Sequence, residues 1–287
     1  MLLLKVLLDK LGIRQLTDEE DDEYFDRLEY LQRLRYKEKP ISADEIERET
    51  LALDDRLQKL TQSNTEFTNF EGHINSKYGI KYDQDRYPTF HDYVSSLFLV
   101  DLLEQSFRKG AIKLSNEITA LDVGAGDWSY CVSLLRFLEK FEGERKVKLI
   151  GVDYDGKNYT CSIQKMTEGL PVTYITGNVV YVPKEQVFDL LFVAHMVYAK
   201  YHCKEHKVPY IGEKRLFGRF FELLKPQGLL IMVAYKWAGE DAIFNNAPKD
   251  KLIVPPFSYY QPVKSLSDFF IERYSFDDNS ILTMQKK

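Results

Sequence analysis

Leu121-Asp122-Val123-Gly124-Ala125-Gly126-Asp127-Trp128 ends an apolar run, residues 118–123, and leads into a helical stretch, residues 130–141. This octapeptide decides the fold. Glycines at 124 and 126 let the backbone turn sharply and let a ligand approach the chain, because no Cβ stands in the way. In open α/β sheets, ligands bind at this carboxyl end of the strands. Asp122 can hold such a loop through backbone amides, or answer a cationic group on a ligand.

Toward the C-terminus, apolar runs and helical stretches alternate: KLIGVD at 148–153, a helix at 158–167, VTYIT at 172–176, FDLLFVA at 188–194, a helix at 215–224 and GLLIMVAY at 228–235. This alternation predicts βαβ units and a mostly parallel sheet with helices on both faces. FIERYSF and ILTMQ flank Asp277-Asp278-Asn279-Ser280, a turn-rich tetrapeptide, which predicts a terminal hairpin and one antiparallel edge strand. Asp153 ends the second strand, where a carboxylate can accept both hydroxyls of a ribose. Asn178 follows the third, where an amide can read an adenine edge.

This ordered set resembles the class I S-adenosylmethionine-dependent methyltransferase family across roughly residues 110–287, including the strand entered by Asp189, the Leu224-Lys225-Pro226-Gln227-Gly228 turn and the terminal hairpin. The resemblance implies an α/β, doubly wound, mostly parallel seven-stranded Rossmann-like sheet with an antiparallel C-terminal hairpin strand. It implies S-adenosylmethionine as cofactor, held by Asp122, Gly124, Ala125, Gly126, Asp127, Trp128, Asp153, Tyr154, Asn178, Val179 and Ala194. The implied activity is methyl transfer to an oxygen or nitrogen atom, expected on a small organic molecule. A protein acceptor, or a cofactor-binding module that performs no transfer, is the alternative.

Two features depart from the family pattern. Trp128 stands where members often carry a third glycine, so a bulkier loop is expected, with the indole against the methionine or adenosine part. Residues 141–146 lengthen the interval from Gly126 to Asp153 as a surface loop. A nicotinamide-binding Rossmann domain fits less well, since Ser129 replaces its third glycine, the acid two residues before Gly124 is unlike it, and no hydride-handling domain is evident.

Methyl transfer from a sulfonium is an in-line displacement of an activated group, so positioning in a dry pocket dominates, and a base is needed only where the acceptor loses a proton. The resemblance places Ala194-His195-Met196-Val197-Tyr198 beside the transferable methyl. His195 is the expected base or acceptor-orienting group, with Tyr198 second. Tyr82, Tyr87 and His91, in an aromatic lead-in with Tyr78 and Tyr93, are expected to shape the acceptor pocket together with Tyr198 and Tyr235. The aromatic loop at 237–260 is a further candidate. His202, Cys203 and His206 lie close in sequence, but no second cluster completes a tetrahedral set, so no metal is expected.

Upstream of the sheet, Thr89 and Asp92 cap a predicted helix at 94–107 that Gly110 ends. Capping patterns at Thr17 with Glu20 and at Ser42 with Glu45 predict a helical hairpin, the second helix carrying Ile46, Thr50, Leu53, Leu57 and Leu60 as a packed seam. Residues 1–75 are therefore read as an N-terminal all-helical appendage that caps the pocket or mediates homodimerisation, and 76–287 as the methyltransferase domain. The appendage holds 11 Lys+Arg against 18 Asp+Glu, whereas the rest of the chain is net +2. Neither part shows a basic stripe, which disfavours nucleic acid as a partner. The apolar opening is interrupted by Lys5, Asp9 and Lys10 and is too short to span a bilayer. Three scattered cysteines fit a reducing compartment, so a cytoplasmic address is expected.

Overall fold

In the computed structural model of the chain, the described residues are 51, 54–55, 57–59, 61–110, 112–154, 160–194, 210–235, 252–253, 258–259 and 279–287. The helix expected at Thr17, most of the one expected at Ser42, His195, Tyr198, the His202, Cys203 and His206 set, most of the 237–260 loop and the FIERYSF strand lie outside them, while Leu57 of the expected seam is helical and buried. The chain divides into two compact units, Met1–Leu53 with Val197–Glu213, and Asp54–Met196 with Lys214–Lys287. The second carries the sheet.

Strands β1 (Glu117–Val123), β2 (Lys146–Asp153), β3 (Val172–Thr176), β4 (Phe188–Ala194) and β5 (Leu224–Tyr235) run parallel in the order β3-β2-β1-β4-β5. Strand β8 (Asn279–Lys286) then pairs antiparallel with β5. Among the described residues the sheet has eight strands, six of them among the seven that the sequence predicted, the FIERYSF strand lying outside. The other two are dipeptide strands, β6 (Leu252–Ile253) and β7 (Ser258–Tyr259), which pair with the far side of β8. Such short segments carry no periodicity to read, yet they occupy part of an otherwise open strand edge. Asn279 and Ser280 belong to β8 and pair with Tyr235 and Ala234, so the expected turn residues extend the strand.

Both faces of the central strands are buried, which is why β4 reads as a continuous apolar run, Phe188-Asp189-Leu190-Leu191-Phe192-Val193-Ala194. Ala120, Leu149, Leu190, Phe192, Ile231 and Val233 join one core with helices α1 (Thr65–Tyr78), α2 (Phe90–Lys109) and α3 (Cys131–Lys140). Their alternates Leu121, Ile150, Leu191, Val193, Leu230 and Met232 are buried as well. Helices α4 (Thr160–Thr167) and α5 (Glu213–Leu223) complete the described set, with Leu216, Phe217, Phe220 and Leu223 of α5 buried.

Helix starts follow local chemistry. Asn64 Oδ1 accepts from the amides of Glu66 and Phe67 to cap α1, and Thr89 with Asp92 forms the expected capping box of α2. Helix α1 runs through the expected domain boundary at 75/76, and its Phe67, Phe70 and Ile74 lie in the shared core. Asp54 accepts from the amides of Phe90 and His91 at 2.6 and 2.9 Å, placing a carboxylate where the dipole of α2 favours one.

Between α1 and α2 the joint is polar as well as aromatic. Phe107 meets Phe137 and Phe141 edge-on, and Tyr78 packs on Phe137. Buried Glu104 accepts from Tyr78 Oη and Lys77 Nζ, each at 2.7 Å, and pairs with Arg108 at 2.6 Å. Burial opposes ionisation of Glu104, but the bonds from Lys77 and Tyr78 outweigh it and hold the carboxyl below its ordinary value. Glu104→Ala leaves the Tyr78 hydroxyl without its acceptor, and a stability loss of about 1–3 kcal/mol is expected in urea denaturation.

Candidate functional site

The parallel order places the topological switch between β1 and β4, since the chain moves from β1 out to β3 and returns to β4 on the other side of β1. The tips of β1, β2 and β3 are direct neighbours there. Val123 pairs with Val152, Asp153 pairs with Thr176, and the Gly177 amide donates to the Asp153 carbonyl at 2.8 Å.

Register brings four residues into one row across the sheet: Phe192 on β4, Asp122 on β1, Gly151 on β2 and Tyr174 on β3. Paired residues in neighbouring strands share a face. Over this row lie the side chains of the loop that follows β1. Trp128 Nε1 donates to Asp122 Oδ2 at 2.7 Å, and Tyr130 Oη donates to Asp122 Oδ1 at 3.1 Å. The Trp128 ring sits on Gly151 so closely that a Cβ at 151 would fall 2.8 Å from it. Tyr174 and Tyr130 flank this stack, the first against Trp128 and the second against Phe192, with ring centroids 5.4 and 5.9 Å apart.

The loop backbone is fastened from both sides. Gly124 and Ala125 amides donate to the Val152 carbonyl, the Gly126 amide donates to Asp153 Oδ2 at 3.0 Å, and Tyr174 Oη donates to the Gly126 carbonyl at 2.6 Å. Gly126 has φ of 57° and a Cβ there would meet nothing within 4 Å, so that side of Gly126 is open. Asp153 beside it is half-buried, and Tyr154 is 47% exposed. Asp127 is exposed, its Oδ1 accepting from the Ser129 amide. Asp92, in the first turn of α2, is held above its ordinary value by burial, and the charge of Asp127 adds to the shift.

The positions of several expected site residues change their reading. Trp128 is fully buried beneath the loop instead of standing against a cofactor. It keeps the left-handed backbone, φ 58°, that explains a glycine at this place, and the buried indole with its bond to Asp122 compensates. Asp122, also fully buried, holds the loop through two side chains rather than through amides. Tyr87 is 1% exposed, with its hydroxyl on Ser133 Oγ at 2.8 Å and its pKa pushed up to about 12, chiefly by burial. It is core, as are Tyr78 and Tyr93, whose hydroxyls donate to Glu104 and Glu71. Tyr82 packs half-buried on Phe90 and Tyr93, while His91 is exposed.

Asn178 is half-buried and its Oδ1 caps the short turn Val179–Tyr181 by accepting from the Val180 amide. Val179 and Ala194 are buried at the tips of β3 and β4, and Tyr235 pairs with Asn279 at the carboxyl end of β5. Gly151, Tyr130 and Tyr174 were not singled out from sequence. A lone glycine inside an apolar strand was the available signal for Gly151, because it marks a close approach. Among the described residues no group of His, Cys, Asp and Glu could hold a metal ion, and no helix is long and apolar enough to cross a membrane.

No family model matches the sequence, and no curated protein matches it. Solved structures do. The N-methyltransferase NodS of Bradyrhizobium japonicum WM9, in complex with S-adenosyl-L-homocysteine, is similar at 12% identity and TM-score 0.45, over 76% of this chain and 98% of that one. An S-adenosylmethionine-dependent methyltransferase from Mesorhizobium loti is similar at 11% identity and TM-score 0.45, over 65% of this chain and 100% of that one. A chain of a fibrillarin/Nop5p complex is similar at 10% identity and TM-score 0.44, over 66% of this chain and 82% of that one.

Two measurements test the stack under the loop. Burial raises the Asp122 carboxyl to about 7, against the bonds from Trp128 and Tyr130 and with help from the charge of Asp153. The folded chain thus keeps a proton that the unfolded chain releases above pH ~4, so this group's contribution to stability is full below that pH and is lost as pH rises toward ~7. Urea midpoints at pH 5 and 8 are expected to show this decline in the wild type and a flatter profile in Asp122→Asn. Gly151→Ala drives a methyl into the Trp128 ring, and a loss of about 1–3 kcal/mol is expected by the same method.

Proposed function

We propose that the chain is a class I methyltransferase that binds S-adenosylmethionine across the tips of β1, β2 and β3. The carrying observation is Gly126, whose amide is bonded to the half-buried Asp153 carboxylate and whose Cβ side is open. This donor set fits the nucleoside. A carboxylate at the end of β2 suits a ribose diol, Tyr154 offers an exposed ring, and Gly126 and Gly177 leave room for close approach, since a Cβ at either would meet nothing within 4 Å. The acidic rim of Asp127 and Asp153 suits a cationic sulfonium and amino group better than the pyrophosphate of a dinucleotide, because like charges repel.

When bound, S-adenosylmethionine supplies a methyl group activated by its sulfonium. This chain's residues then bind, orient and exclude water. Asp153 takes the ribose, and the loop at 124–127 bounds the methionine side. Asn178, with Oδ1 spent on Val180, meets the adenine through its amide nitrogen. His195, the next residue in the chain after β4, is the proposed base or acceptor-orienting group, and Tyr198 and Tyr235 are further proposed acceptor-site residues. His91 and Tyr82 remain candidates there, and Tyr87 does not. The proposed acceptor is an oxygen or nitrogen atom of a small molecule. The inward seat of Trp128, with the open Cβ side of Gly126, supports cofactor binding at this loop.

Isothermal titration with S-adenosylhomocysteine tests the premise, and wild type that takes up no heat sinks it. Asp153→Ala is expected to weaken binding at least about tenfold, the scale of a charged hydrogen-bond partner. For His195→Ala, slower turnover with donor affinity retained is expected, whereas full activity removes it as a base.

A further inference from the structure

We infer that Tyr174 is a positioning residue for the diol-binding carboxylate, and this rests on the cofactor site proposed above. The chain of contacts runs from Tyr174 Oη to the Gly126 carbonyl at 2.6 Å, and from the Gly126 amide to Asp153 Oδ2 at 3.0 Å. Both polar groups of one glycine are therefore engaged, one by β3 and the other by β2. That matters because Gly126 is the residue of the loop least restrained by itself. It has no side chain, stands at a left-handed φ of 57° and has open space on its Cβ side. Glycine visits many backbone conformations at little cost, so an unfastened Gly126 lets both adjoining peptides rotate.

Tyr174 limits that freedom. Its ring leans on the buried Trp128, which is itself wedged on Gly151 and bonded to Asp122, so the hydroxyl is presented from a packed platform. With the Gly126 carbonyl held, one of the two peptides that meet at its Cα can no longer swing, so fewer backbone conformations compete with the one in which its amide meets Asp153 Oδ2. A bond to one oxygen restricts the torsion of the Asp153 carboxylate. A diol recognised by two short hydrogen bonds needs such orientation before the ligand arrives, because each unfixed torsion otherwise costs affinity on binding.

Affinity for S-adenosylhomocysteine and for its 2′-deoxy analogue, measured by isothermal titration on the full chain, tests the inference. Tyr174→Phe keeps the ring on Trp128 and removes only the hydroxyl. The expected result is binding of S-adenosylhomocysteine about tenfold weaker, with the wild-type preference for the ribose form over the 2′-deoxy form largely lost and the thermal midpoint close to wild type. In an Asp153→Asn background, the same change should have little further effect. Unchanged affinity, or an equal loss for both ligands with the preference intact, overturns the role of Tyr174 while leaving the cofactor site standing. Wild type that binds neither ligand overturns both. Should the phenylalanine variant fail to fold, Tyr174→Met, a flexible side chain that can pack on the Trp128 ring without a hydroxyl, carries the same expectation for the two affinities.

Discussion

Trp128 lies between the Asp122 carboxylate and the bare backbone of Gly151, and the carboxyl edge of the sheet is arranged around that seat. A bulky residue with φ of 58° is disfavoured on its own. Here complete burial of a large ring, together with a hydrogen bond to a buried acceptor, offsets the cost. The arrangement is mutual. Without the donors from Trp128 and Tyr130, Asp122 would be a carboxylate out of water with no partners, and without glycine at 151 the ring has no place to lie.

Turning the indole inward settles what the outer side of the loop can do. The glycine backbone at 124–126 is held against β2 and β3 from beneath, while the Cβ side of Gly126 is open next to the switch between β1 and β4. Asp153 and Tyr154 follow at the tip of the next strand, and Asn178 at the tip of the third. Polar side chains at this edge thus divide in two. Asp122, Tyr130 and Tyr174 act on the protein, Tyr154 and Asp127 are exposed, and half-buried Asp153 stands between the two sets, holding the Gly126 amide.

The aromatic lead-in before and within α2 shows the same division. Tyr78, Tyr87 and Tyr93 each bury a ring and spend the hydroxyl on a side-chain partner, Glu104, Ser133 and Glu71 respectively. Buried hydroxyls are expected to find such partners, since leaving them unpaired is costly. These tyrosines therefore fasten α1, α2 and α3 to one another.

Element type and order were legible in the sequence, because they rest on local features: the alternation from residue 117 onward, the glycines after β1, the Thr89 and Asp92 capping box, and carboxylate and amide at successive strand ends. Other features depended on partners distant in the chain. Gly151 is required only because Trp128 folds over it, Tyr174 meets Gly126 across 48 positions, and Tyr87 meets Ser133 across 46. The dipeptide strands β6 and β7 exist only as partners of β8. Hydrophobic periodicity encodes which face of an element is buried, whereas the row in which residues from different strands line up is set by inter-strand register. That register is a property of the assembled sheet, and it decided whether Trp128 covered the cofactor or supported the loop beneath it.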